Sequence, residues 1–281
     1  MQPWRITIAV TLLAAITLLA SPYPALAQSE SPPDGSALSP YWSPAVQRWD
    51  SLIVEHAQNR SLDPDLVAAV IWKESLGRAQ SRGPVGAVGL MGLMPFDWRP
   101  PADELEQPWT NLFWGTRALA QTIRDGDGDL YYSLAAYNGS WQKAGQDNTR
   151  RYAASVLDLY TRAVAVEYGM SPDGDWIALL AVEGMLGPRT LTVLGPQRPL
   201  ARYTERPLDV GSLAIPSDVP PHATVIAFKN GRDQECRVNL WLVSEDGAPL
   251  LAAASRASAA RAREIAAETA QNSQGAEFHA Q

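Results

Sequence analysis

Glu74 is a carboxylate at a position where a helix would bury an apolar side chain. Within the stretch 61–95, Val67, Val70, Ile71 and Glu74 follow one another at i, i+3, i+4 and i+7 and so share one helical face. A carboxyl group partly withdrawn from water resists ionisation, and its pKa rises toward the range of a general acid. The same spacing also fits a Glu at a helix end that turns out to solvent, and spacing alone leaves the two readings open. Other kinds of chemistry are poorly supplied. The single cysteine, Cys236, rules out an intrachain disulfide framework and any multi-cysteine metal site. His56, His222 and His279 are scattered, with no metal-ligand spacing and no local support for a Ser-His-Asp or Cys-His nucleophile. The run Asp125-Gly126-Asp127-Gly128-Asp129 opens like a calcium loop, but Leu130 stands where that loop needs Gly and Ala136 where it needs Glu. It reads as a solvated turn, and neither a metal nor any other cofactor is expected.

The helix that would carry Glu74 has a clear start. Asp63 can accept from a free backbone N–H as N-cap, and Pro64 suits the first helical position. Ser43-Pro44 repeats the signal upstream, with Val46, Trp49, Ile53 and His56-Ala57 on the buried side of a preceding helix. After Glu74, glycines at 77, 83, 86, 89 and 92 break regular structure and predict a loop over 76–92 packed closely against something. Further helices are expected over 111–123, with Leu112, Gly115, Leu119 and Ile123 on one face, over 130–137, ending at Asn138-Gly139, and over 148–165. Beyond Gly169, short apolar runs at 176–182, 190–194, 223–228 and 236–243 read as strands, and Asn230-Gly231 as a hairpin turn.

The chain has 281 residues, room for one large or two small domains. A net charge of −7 argues against phosphate-neutralising nucleic-acid binding and against docking on anionic lipid. At the N-terminus, Arg5, the apolar run 6–20 and Ala25-Leu26-Ala27 have the layout of a secretory signal cleaved after residue 27. An uncleaved anchor is the lesser reading, because the run is short for a membrane span. Residues 28–44 are rich in Ser and Pro, as in a flexible linker.

Three stretches, Glu74-Ser75, 89–95 (Gly-Leu-Met-Gly-Leu-Met-Pro) and 135–139 (Ala-Ala-Tyr-Asn-Gly), taken in this order and spacing, resemble the soluble-type (family 1) lytic transglycosylases, whose catalytic fold is goose-lysozyme-like. The resemblance covers about residues 46–165 and extends to Asn111, Gly115 and Leu119 on the intervening helix and to Thr149, Tyr152 and Val156 on the closing one. It implies a mainly α-helical lysozyme-like catalytic domain over 45–168; the strand signals beyond read as a small β-rich domain over 171–250 and the Ala-rich composition as a tail over 251–281, helical and then disordered, so the expected class is α+β. The resemblance further implies that Glu74 is the catalytic carboxylate. Glu74 would protonate the glycosidic oxygen between N-acetylmuramic acid and N-acetylglucosamine and then deprotonate the 6-hydroxyl of the muramoyl sugar, giving a 1,6-anhydro end. One acid suffices when the substrate supplies the nucleophile, whereas an ordinary glycosidase needs two.

By the same resemblance Ser75, Met91, Tyr137 and Asn138 would bind substrate, with the Tyr137 hydroxyl reaching Glu74 and Met91 lining the sugar site. Trp98, Trp109, Trp114 and Trp141 are candidates for stacking on sugar faces. The sequence departs from the family at Gly92, where Gln is usual, and so lacks an amide that would orient the glycan. The expected partner is the glycan strand of peptidoglycan, with no nucleic acid, no stable membrane insertion after signal cleavage and no identifiable partner for 171–250. The expected location is outside the cytoplasm: periplasmic, wall-associated or extracellular. Two alternatives stay open, a hydrolytic lysozyme on the same scaffold and a catalytically silent wall-binding protein.

Overall fold

In the computed structural model of the chain, the described residues are 37–184, 191–203, 215–216, 219–245, 247–248 and 250. The expected signal segment, most of the linker and the Ala-rich tail lie outside them. Seven α-helices come first: α1 (Pro44–Gln47), α2 (Asp50–Gln58), α3 (Pro64–Ser75), α4 (Ala102–Leu105), α5 (Pro108–Asp125), α6 (Leu130–Asn138) and α7 (Asp147–Glu167). Five strands follow: β1 (Ile177–Glu183), β2 (Leu191–Gly195), β3 (Arg198–Tyr203), β4 (Ala223–Lys229) and β5 (Glu235–Val243). The protein is α+β, as its sequence implies.

The Glu74 helix begins as its sequence predicts. Asp63 caps α3 by accepting from the Asp65 N–H at 2.9 Å, and its other oxygen accepts from the buried Tyr160 hydroxyl of α7 at 3.0 Å. Asp65 is itself buried and accepts from Ser39 N–H and Trp42 Nε1. Two carboxylates thus tie the start of α3 to α7 and to the segment before α1. Between them and Glu74 the helix is buried nearly all round, from Leu66 to Ile71. It ends at Leu76, which is left-handed with φ 55°, an uncommon conformation for a residue with a Cβ. Gly77 follows at φ 79°, where an added Cβ would lie 2.6 Å from the Ala45 carbonyl carbon, so only glycine fits.

Two local expectations change. The first helix is broken in two at Arg48–Trp49, and the Ser43 hydroxyl makes no cap bond. The Asn230-Gly231 signal marks a hairpin, but the loop is longer than two residues: Asn230 Oδ1 accepts from Arg232 and Gln234 N–H, and Asp233 takes φ 59°.

The strands form one antiparallel sheet in the order β3-β2-β1-β5-β4. β3 was not foreseen. Its sequence, Arg-Pro-Leu-Ala-Arg-Tyr, lacks a clear apolar alternation and has proline at its second position, which suits a sheet edge. Alternation along β5 puts Val238, Leu240 and Leu242 toward the helices and Trp241 and Val243 in a separate apolar cluster with Ile177, Leu179 and Val193. At the opposite edge β4 is covered by the turn before α3, where Asp63 N–H donates to the Val225 carbonyl and Ala227 N–H to that of Ser61.

The change of texture near residue 170 is a change of secondary structure, and the core continues across it. One hydrophobic cluster runs from Ile53, Ile71, Leu119 and Val156 into Ala178, Leu180, Ile226 and Leu240. The acidic turn 125–129 is part of that joint. Asp125 and Asp127 are exposed, but Gly128 is buried, with room only for hydrogen against Val182, Val238 and Phe228. Asp129 caps α6 by accepting from Tyr132 N–H.

Candidate active site

Glu74 occupies the last turn of α3, half-buried, and its carboxylate leans over the backbone of Gly92. Burial pushes its pKa from 4.5 to about 6, while the Tyr152 hydroxyl and Lys73 pull the other way. The Tyr152 hydroxyl is buried, and the group it acts on is the Glu74 carboxylate, whose pKa it lowers. The resemblance implies that the Tyr137 hydroxyl reaches Glu74 and helps hold its raised pKa. The structure instead has the Tyr137 hydroxyl donating to the Met91 carbonyl at 3.0 Å, so it fixes the glycine loop and reaches Glu74 only through its electrostatic field. Tyr152 belongs to a helix almost eighty residues further along, and no local pattern marks it as the nearer of the two. Burial keeps both phenols protonated.

The loop over 76–92 is short of regular structure but well bonded. Val88 and Leu93 exchange two backbone hydrogen bonds at 2.9 Å, and Gly83 and Gly89 N–H donate to Ala87 and Ser81 carbonyls. Asn111, fully buried on α5, holds it in place. Its Oδ1 accepts from Met91 N–H at 2.8 Å and its Nδ2 donates to the carbonyls of Val88 and Leu105 at 3.0 and 2.6 Å. Gly89 (φ 82°) lets the loop close on that amide, and Gly115 makes room for the Met91 side chain, whose Cβ would lie 2.9 Å from any Cβ at 115.

The remaining expected site residues divide clearly. Ser75 is buried, its hydroxyl lying between the carbonyls of Ile71 and Leu90 at 3.0 and 2.8 Å and accepting from Gly77 N–H at 3.2 Å. It joins helix to loop and has no surface to offer a sugar. The Met91 side chain is likewise wholly buried, so Met91 serves the site through its backbone. Asn138 is exposed at the end of α6, one residue past Tyr137, and is free to meet a ligand. Gly92 is explained by packing. At φ 61° an added Cβ would stand 2.7 Å from Cδ of Glu74, so the carboxylate itself occupies the room a side chain at 92 would need.

Trp98 is 64% exposed and stacks on Phe96 at 5.5 Å, with Trp114 beyond it at 6.3 Å. Trp109 stacks on Phe113 at 5.4 Å further along α5. Trp141 is exposed but follows α6, with its ring against Gly126. Arg99, which no sequence pattern singled out, lies over Trp98 at 4.6 Å and within electrostatic reach of Tyr137.

Among known proteins, residues 51–158 match the family model of the Transglycosylase SLT domain. A transglycosylase of Enterobacteria phage PRD1 is 34% identical over 117 residues, covering 41% of this chain and 43% of that protein. The X polypeptide of Escherichia coli is 32% identical over 114 residues, covering 36% of this chain and 66% of its own length. The chain thus spans under half of the first relative and about two thirds of the second. Among solved structures, an inactive mutant of the lytic transglycosylase Slt from Pseudomonas aeruginosa is 27% identical, with a TM-score of 0.37 over 42% of this chain and 24% of that one. The match of residues 51–158 to the Transglycosylase SLT domain takes in Glu74, the glycine loop, Asn111, Tyr137 and Tyr152.

Proposed function

We propose that this protein is an exported peptidoglycan lytic transglycosylase in which Glu74 is general acid and then general base. The observation that carries the reading is the Glu74 carboxyl itself: half-buried, with a pKa raised to about 6, and lying against the backbone of Gly92. At that pKa the group is partly protonated near neutral pH. It can give its proton to the glycosidic oxygen between N-acetylmuramic acid and N-acetylglucosamine and, once ionised, accept one from the muramoyl 6-hydroxyl. That hydroxyl closes on its own anomeric carbon, so a 1,6-anhydromuramoyl end forms and no water is consumed. Burial, Tyr152 and Lys73 are what shift Glu74, and no carboxylate is among them, which fits a reaction in which the substrate supplies the nucleophile. Asn138 and Trp98, both exposed, would meet the glycan. No helix among the described residues is long and apolar enough to cross a membrane.

Digestion of purified peptidoglycan followed by mass measurement of the muropeptides tests the reading. Anhydro ends, absent with Glu74→Gln, are expected. Products heavier by one water would assign the protein as a hydrolase, and equal release by wild type and variant would remove Glu74 from the chemistry.

A further inference from the structure

Arg99 is a cation with no ion-pair partner among the described residues. Its Nη1 donates to the Met94 carbonyl at 3.0 Å, three residues after the carbonyl that receives Tyr137. Its plane is steadied by two rings, Trp98 at 4.6 Å and Phe96 at 5.5 Å. Its Nε is buried and has no hydrogen-bond partner, and among the described residues the ion pairs all involve other groups. A guanidinium presents five donors in a fixed fork suited to a carboxylate, and a buried donor left unmatched is costly. Burial also disfavours its charge. Such a group is oriented and desolvated in advance for an acceptor that arrives from outside.

The position of Arg99 indicates which acceptor. Its hydrogen bond to Met94 sets it on the loop whose Met91 carbonyl receives Tyr137 and whose Gly92 lies against Glu74, and it is within electrostatic reach of Tyr137. In the glycan taken as substrate, N-acetylglucosamine is neutral, and a carboxylate occurs only on or through the muramoyl sugar. We propose that Arg99 is a specificity-determining residue that pairs with a carboxylate carried by the muramoyl sugar, either its own lactyl carboxylate in a peptide-stripped strand or one on the stem peptide. The pairing rests on the glycan-cleaving function proposed above. It would let the site distinguish the two alternating sugars by charge and so fix which bond faces Glu74.

Binding of three ligands to Glu74→Gln, with and without Arg99→Gln, tests the proposal by calorimetry: a peptide-free muramoyl oligosaccharide, the same glycan bearing stem peptides, and a neutral chitooligosaccharide. The expected result is a loss of about tenfold or more for acidic ligands on Arg99→Gln, about 1.4 kcal/mol. Neutral binding should be unchanged, and Arg99→Lys should restore part of the loss. Loss on the peptide-free ligand assigns the lactyl group, and loss confined to the peptide-bearing one assigns the stem. An arginine that only stitches the loop would weaken all three ligands alike, and that result, no loss at all, or no binding of either acidic ligand overturns the proposal. Digestion by the protein with Glu74 intact separates the two readings. Anhydro products together with equal loss on neutral and acidic ligands defeat the Arg99 role alone, whereas absence of any product defeats the function.

Discussion

At the scale of single residues the site depends on how Glu74 is held. Its alkaline limit of activity is expected near pH 6, because the acid must be protonated and its pKa is raised to about that value. Tyr152 opposes the rise, so Tyr152→Phe should move the alkaline limb of the pH–rate profile upward, which wall-lysis rates at constant ionic strength would measure. The raised pKa also has a cost in stability. The folded state binds the Glu74 proton more tightly than the unfolded chain, so the penalty is absent below about pH 4.5 and fully present above about pH 6. Glu74→Gln is therefore expected to be more stable than wild type at pH 7, by up to about 2 kcal/mol, with the gap closing at pH 4. Denaturant titration at the two pH values measures it.

Gly92 belongs to the same balance. From sequence alone, restoring Gln at this position would be expected to supply a missing amide and raise activity. The structure reverses the expectation. A Cβ there meets the Glu74 carboxylate, on a backbone with φ 61°. Gly92→Gln should displace Glu74, lower activity at least tenfold and lower stability by about 1–2 kcal/mol, read from initial rates and thermal melts. Unchanged activity would show that the carboxylate has another place to go.

At the scale of elements, α3 delivers the acid and α5 holds the loop opposite it. Asn111 makes three hydrogen bonds from full burial, and truncation to Ala would orphan Met91 N–H and leave the Val88 and Leu105 carbonyls short of a donor. A buried group left unpaired costs about 1–3 kcal/mol. Asn111→Ala is thus expected to lose at least about 2 kcal/mol and to loosen the loop over 88–93, which amide exchange at Met91 would show. The expected substrate-binding roles of Ser75 and Met91 become structural at this scale. Both lie at the junction of α3 and the loop, where a buried hydroxyl and a large buried apolar side chain join the two elements.

At the scale of the molecule, helices and sheet share one core, although a sequence reader sees two textures. Leu240 is fully buried on the helix-facing side of β5. Leu240→Ala should cost about 2–5 kcal/mol. Because the core is continuous, the helical circular dichroism signal and the strand-borne Trp241 fluorescence should shift together in one transition. A helical signal that melts at the wild-type temperature would show two independent units.

Short-range chemistry was readable in the residues alone. The Asp63-Pro64 helix start, the apolar face ending in Glu74, the glycines after it and the alternation of β5 all report forces acting within a few residues of one another. The local order of three motifs was enough to suggest the catalytic domain. Only the tertiary structure decided what surrounds the acid: Tyr152 as the hydroxyl that opposes the rise in its pKa, Asn111 as the clasp of the loop, and the carboxylate itself in the room a side chain at 92 would need. It likewise decided that Arg99 has no ion-pair partner among the described residues and that the acidic turn 125–129 packs on the sheet. Each of these depends on contacts between elements tens of residues apart, where burial and proximity set pKa and partner, and no local spacing encodes them.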